Sequence, residues 1–95
     1  MAAGWTVLYS RKAAKQRDQL SVRWRKVLVA LVAEIKSGGP VRGNWPNYSK
    51  LGSINHHCHL NKKGNPTYVA VWEVTDRAIK IVEVSYVGTR EKAPY

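Results

Sequence analysis

Cysteine is nearly absent from this chain: its 95 residues hold one, Cys58. A lone thiol excludes an intramolecular disulfide and fits a reducing, cytoplasmic setting. Acidic residues are scarce, 6 against 16 lysines and arginines, for a formal charge of +10. That imbalance favours a polyanion or an acidic partner: RNA, DNA, an anionic membrane or an acidic protein. Long apolar runs are missing. The longest, residues 27–33, has the length of a buried helix segment and falls short of the ~18 residues of a membrane span. The opening MAAGWTVLYS has neither a basic n-region nor a long apolar segment, so it does not read as a signal peptide. There is no internal repeat and no low-complexity tract, and the basic residues are spread along the chain. The length and a 44% hydrophobic content predict one domain, residues 1–95, with a small core.

What is present reads as an α+β pattern. Residues 5–9 (WTVLY) have strand composition. Ser10 is placed to cap a short polar helix, RKAAKQRDQ, with Ala13, Ala14 and Arg17 on one side. Ser21 is a candidate cap for the next helix. There Trp24, Val27, Leu28, Leu31 and Ile35 recur at three- and four-residue spacing, while Arg23 and Lys26 lie off the stripe. Ser37-Gly38-Gly39-Pro40 terminates it. Residues 41–52 (VRGNWPNYSKLG) read as a loop pinned by Trp45 and Tyr48. Strands are expected at 54–60 (INHHCHL), 67–74 (TYVAVWEV) and 78–87 (AIKIVEVSYV), joined by turns at 61–66 and 75–77. Strand, helix, helix, then three strands on tight turns predicts a three-stranded antiparallel meander with the helical pair on one face. The other face is left for a partner.

Two stretches carry chemistry. In His56-His57-Cys58-His59, strand alternation sends His57 and His59 to one face and His56 and Cys58 to the other. Imidazole titrates near neutrality and can serve as acid or base, and two rings on one face titrate as a coupled pair. The same pair on a solvated strand can be a polar surface only. As a metal site it lacks the three or four ligands zinc takes, because His56 and Cys58 project away. Cys58 reads as a small buried hydrophobe. The second stretch is the end, YVGTREKAPY. Gly88 is expected to break the strand at Val87, and Arg90, Glu91, Lys92 and Tyr95 follow. Arg offers paired donors to phosphate oxygens; Tyr can stack on a base or hold a proton.

This ending, placed after such a meander, resembles the C-terminal strand and tail of the RelE/ParE superfamily of bacterial toxin–antitoxin toxins, and the element order resembles that fold over nearly the whole chain. The resemblance, with the RelE-like branch preferred, implies a ribosome-dependent mRNA endonuclease. It uses the substrate 2′-hydroxyl as nucleophile, needs no metal or cofactor, and leaves a 2′,3′-cyclic phosphate and a 5′-hydroxyl. It implies that His57 and His59 stand where such toxins carry a lysine pair, that Arg90 braces the phosphate, and that Tyr95 stacks or transfers a proton. It further implies a cognate antitoxin, the ribosome and mRNA as partners, and operator DNA only through the antitoxin, with no membrane role. One position departs: the strand cation expected near Val69 is missing. Lys50, Lys62, Lys63, Arg42 and Lys92 are the cations left to hold RNA. Two other readings stand beside it: a ParE-like inhibitor of DNA gyrase on the same fold, and an inactive module that only binds antitoxin and operator complex. Arg11, Lys12, Lys15, Arg17, Arg23, Arg25 and Lys26 on the helices are either a solvated face or phosphate contacts to ribosomal RNA. Trp45, Tyr48 and Tyr95 are the aromatics available for stacking. Glu73, Glu83 and Glu91 are not spaced as an acid/base pair and read as partners of nearby basic side chains.

Overall fold

The computed structural model describes residues 4–95; residues 1–3, the start of the stretch judged not to be a leader, lie outside the described residues. The chain runs β1 (Thr6–Tyr9), α1 (Arg11–Gln19), α2 (Val22–Gly38), β2 (Ser49–Lys50), β3 (Asn55–His59), β4 (Tyr68–Asp76), β5 (Ile81–Thr89) and a 3-10 turn at Arg90–Lys92. Ser10 caps α1 as expected, its Oγ accepting from the Ala13 N–H at 3.0 Å. Ser21 occupies the cap position of α2 but makes no side-chain cap bond. Gly39 ends α2 at φ 95°, a conformation that favours glycine. Among the described residues no helix is long and apolar enough to cross a membrane.

The expected meander is the antiparallel part of a larger, mixed sheet of order β1-β5-β4-β3-β2. β1 joins β5 in parallel, from Thr6 opposite Ile81 to Tyr9 opposite Val84. Beyond Val84 β1 has ended, and α1 takes over the open edge: Gln16 Oε1 accepts from the Val87 N–H at 3.0 Å. At the other edge the loop expected at 41–52 contributes the two-residue β2, with Ser49 opposite His57. The last turn sits later than expected, at residues 77–80. Asp76 Oδ1 accepts from the Ile79 N–H at 3.0 Å, and Lys80 takes a left-handed φ of 58°, so Ala78 and Ile79 belong to the turn and not to β5.

Both helices cover one face. Ala13, Leu20, Leu28, Leu31, Val32 and Ile35 pack on Cys58, Ala70, Trp72, Val74, Val82, Val84 and Val87. Trp72, fully buried, gives its indole N–H to the Pro40 carbonyl at 3.0 Å, which ties the α2 exit to the middle strand. Glu34 organises the following loop, accepting from Arg42 at 3.2 Å, Asn44 at 2.8 Å and the Trp45 indole at 3.0 Å.

The second face begins at a bulge. Val71 pairs with Tyr86 and Trp72 with Val84, so Ser85 is left without a partner and the alternation of β5 shifts by one. Val82, Val84 and Val87 therefore face the helices, while Tyr86 joins Val69 and Val71 on the other side. β5 also continues past the expected stop at Val87, and Gly88 pairs within it opposite Val69. The glycine is needed for space: a Cβ there would lie 2.8 Å from the Tyr86 hydroxyl, which donates to the Thr89 carbonyl at 2.7 Å. Gly88→Ala should destabilise the protein by about 1–3 kcal/mol through overpacking. The check is the denaturant midpoint, and Gly88→Ala/Tyr86→Phe should recover part of the loss because the obstructing oxygen is gone.

Candidate active site

β3 separates its histidines as alternation predicts. His56 faces the helices, stacked on Trp72 with ring centroids 5.9 Å apart and planes 5° apart, and its Nδ1 bonds the Tyr48 hydroxyl at 2.7 Å. Burial, reinforced by the charges of Lys50 and Arg77, pushes its pKa down to about 4. Cys58 on the same side is fully buried, and desolvation pushes its thiol up to about 12, which leaves it inert. His57 and His59 share the other face, with centroids 6.1 Å apart. His57 is buried and its Nδ1 bonds the Ser49 hydroxyl at 3.1 Å; His59 is half-buried. Desolvation lowers both pKa values first. Arg90 lowers both further, and His57 lowers His59. Only a hydrogen bond with the Ser49 backbone, separate from the hydroxyl contact, opposes the shift at His57. Both rings are therefore neutral at pH 7 and able to accept a proton.

The tail closes over this face. The Arg90 N–H donates to the Thr67 carbonyl at 2.8 Å, the 3-10 turn reverses the chain, and Ala93 packs on Val69, Val71 and Tyr86. Tyr95 then lies on His57, centroids 4.6 Å apart, with half of its surface still exposed. Desolvation is the main cause that raises its phenol pKa, against the lowering by Arg90, so the hydroxyl keeps its proton at neutrality. Between the tail and the β3–β4 turn lies a cavity of about 390 Å³ lined by Asn65, Thr67, Arg90, Glu91 and Tyr95. His57, His59, Arg90 and Tyr95 are thus brought together.

The other expected cations are not gathered with them. Lys62 and Lys63 are exposed on the β3–β4 turn. Lys50 is exposed on β2, opposite His56. Lys92 lines a smaller cavity of about 230 Å³ on the α1 side, with Gln16, Gln19 and Thr89. Arg42 is held at α2 by Glu34. Val69, the position expected to carry a cation in the resembled toxins, is fully buried beneath Ala93. Of the three aromatics, Trp45 and Tyr48 pack against the helix-side core, and only Tyr95 is on the open face. Glu73 and Glu83 face each other across β4 and β5; neither they nor Glu91 form an ion pair among the described residues. Arg17–Asp18 and Arg42–Glu34 form ion pairs. Among the described residues no three His, Cys, Asp or Glu side chains converge as a metal site. Ser49 and Tyr86 were not foreseen. A two-residue strand has no period to read, and the Ser85 bulge that turns Tyr86 outward depends on pairing with β4.

The chain matches no protein-family model and no curated protein. Solved structures share its fold. The YoeB dimer from Staphylococcus aureus matches with a TM-score of 0.65 at 18% identity, over 87% of this chain and 93% of that one. The archaeal RelE in the RelE-RelB complex from Pyrococcus horikoshii OT3 matches with a TM-score of 0.62 at 10% identity, over 95% and 99%. The α+β fold implied by the resemblance to the RelE/ParE superfamily is therefore present, with β1 and β2 added to the meander.

In a ring-proton NMR titration His57 and His59 should both change charge below pH 6.5, and His56 should do so last, near pH 4. Arg90→Ala removes a lowering charge and should move His57 and His59 upward. Unshifted rings with ordinary midpoints would contradict the buried geometry.

Proposed function

We propose that this chain is a ribosome-dependent mRNA endonuclease, the toxin of a toxin–antitoxin pair, acting in the cytoplasm. The observation that carries this reading is the convergence of two neutral imidazoles, a guanidinium and a protonated phenol on the open face of a chain of charge +10. One imidazole, His57 or His59, takes the proton of the 2′-hydroxyl, and that oxygen attacks the adjacent phosphorus. Arg90 holds the charge that develops on the phosphorane oxygens. The Tyr95 ring lies against His57, and its hydroxyl gives its proton to the departing 5′-oxygen, leaving a 2′,3′-cyclic phosphate and a 5′-hydroxyl. No step asks for a metal. A cognate antitoxin is the partner suggested by the RelE-RelB complex that shares the fold; an acidic or amphipathic segment suits this surface.

A gyrase-directed toxin is the second reading, favoured by one observation: β4 presents buried Val69 where a phosphate-binding cation is expected. Mapping of cuts on message in a purified translation reaction separates the two. The endonuclease cuts translated message only. His57→Ala/His59→Ala should lower the rate by ~10²–10⁴, and Arg90→Ala by ~10²–10³. Intact message with unimpaired translation would move the assignment to gyrase or to a non-catalytic binder.

The pH dependence follows from the same shifts. The base works deprotonated and its pKa is lowered, so the active form persists to lower pH than with an ordinary histidine. The acid limb of the single-turnover rate should have its midpoint below pH 6.5 and the rate should be flat through neutrality. A limb centred above pH 7 would exclude these imidazoles as the base.

A further inference from the structure

Three acidic residues, Glu73, Glu83 and Glu91, make no ion pair among the described residues, and of these Glu91 lines a cavity. Asp18 pairs with Arg17, Glu34 holds three donors of its loop, and Asp76 caps the β4–β5 turn. Glu73 and Glu83 lie on the sheet, opposite one another. Glu91 is exposed, accepts no hydrogen bond among the described residues, and lines the cavity of about 390 Å³ beside Arg90. A carboxylate next to a phosphate-binding guanidinium repels the polyanion that the guanidinium attracts. That cost is offset where the ligand brings donors for the carboxylate to accept.

We infer that this cavity is a subsite for the nucleobase beside the phosphate held by Arg90, and that Glu91 makes the subsite select guanine. The inference rests on the endonuclease reading. Single-stranded RNA offers its Watson–Crick edges to side chains. Guanine is the base with two adjacent donors there, N1–H and N2–H₂, which match the two oxygens of one carboxylate. Its O6 is an acceptor, suited to the Asn65 amide, which lines the same wall. The half-exposed Tyr95 ring supplies a stacking platform. Adenine would turn its N1 lone pair toward Glu91, cytosine its N3 lone pair, and uracil two carbonyl oxygens flanking a single N–H. Arg90 and Glu91 are consecutive, so the phosphate brace and the base reader are held by one turn.

Two measurements test this. In the first, cuts on a message containing all codons are mapped for the wild type and for Glu91→Gln. Glu91 makes no contact that the fold needs, so the variant remains folded. The wild type should cut preferentially beside guanine, and Glu91→Gln should reduce that preference at least ~10-fold, whereas Arg90→Ala should lower cutting beside every base alike. In the second, guanosine 3′-monophosphate and adenosine 3′-monophosphate are titrated into the free protein by NMR. Guanosine 3′-monophosphate should bind at least ~10-fold tighter, with shifts at Asn65, Glu91 and Tyr95, and Glu91→Gln should equalise the two. Equal affinities in the wild type, or an unchanged base distribution in Glu91→Gln, would overturn the guanine subsite while leaving the endonuclease in place. Discrimination between the nucleotides without any cutting of message would instead keep the subsite and remove the endonuclease.

Discussion

β4 lies in the middle of the sheet and is buried on both faces, and the rest of the molecule follows from meeting that requirement. Ala70, Trp72 and Val74 are covered by the helices. Val69 and Val71 point the other way, where no helix lies, and must still leave water. The tail covers them, with Ala93 laid on Val69, Val71 and Tyr86. Burying each valine is worth about 1.5–3 kcal/mol, enough to hold a short segment against its conformational entropy. Arg90 and Tyr95 flank Ala93 in sequence, so the apolar cover that completes the fold also carries a cation and a phenol to His57.

β3 has the harder task, because it is polar yet lies between two paired strands. Its two buried histidines are accommodated by a hydrogen-bond partner each. The Tyr48 hydroxyl meets His56, Ser49 meets His57, and Trp72 stacks on His56. No buried side-chain nitrogen or oxygen is left without a hydrogen bond among the described residues, as low-dielectric burial demands. The consequence is a sharp difference between neighbours. His56 is a core residue whose charging is suppressed to about 4, and His57 is held beside Arg90. One step along the strand separates a structural imidazole from one that can do chemistry.

The parts legible in the sequence were those fixed by local contacts. Ser10 caps α1, the Leu28–Leu31–Ile35 stripe faces the core, and Gly39 stops α2 because each depends on residues within a turn or two. The split of His56 and Cys58 from His57 and His59 follows from strand period alone. What could not be read depends on partners distant in sequence. β1 pairs with β5 across some 75 residues; β2 exists because β3 offers an edge; the Ser85 bulge is set by register against β4. Gly88 reads as a strand breaker in isolation but is a spacer beneath Tyr86. Trp45 and Tyr48 look available for stacking from composition, and are spent on Glu34 and His56. Glu91 looks like a partner for a lysine and stands unpaired at a cavity.

The electrostatics of the site bear on how such a base would be used. Burial first, and Arg90 to a lesser degree, keep His57 and His59 neutral, which makes the resting imidazoles available but also weak bases. The smaller part of that weakening comes from Arg90, whose field also attracts a phosphate. Once a phosphodiester neutralises Arg90, the lowering contribution of its guanidinium is reduced, and the imidazole pKa rises toward its ordinary value. Basicity is then strengthened by the arrival of the group that is to react. On the endonuclease reading, a site built this way stays unprotonated in the free protein and gains proton affinity in the complex, so the acid limb measured with bound substrate should lie at higher pH than the ring titrations of the free chain.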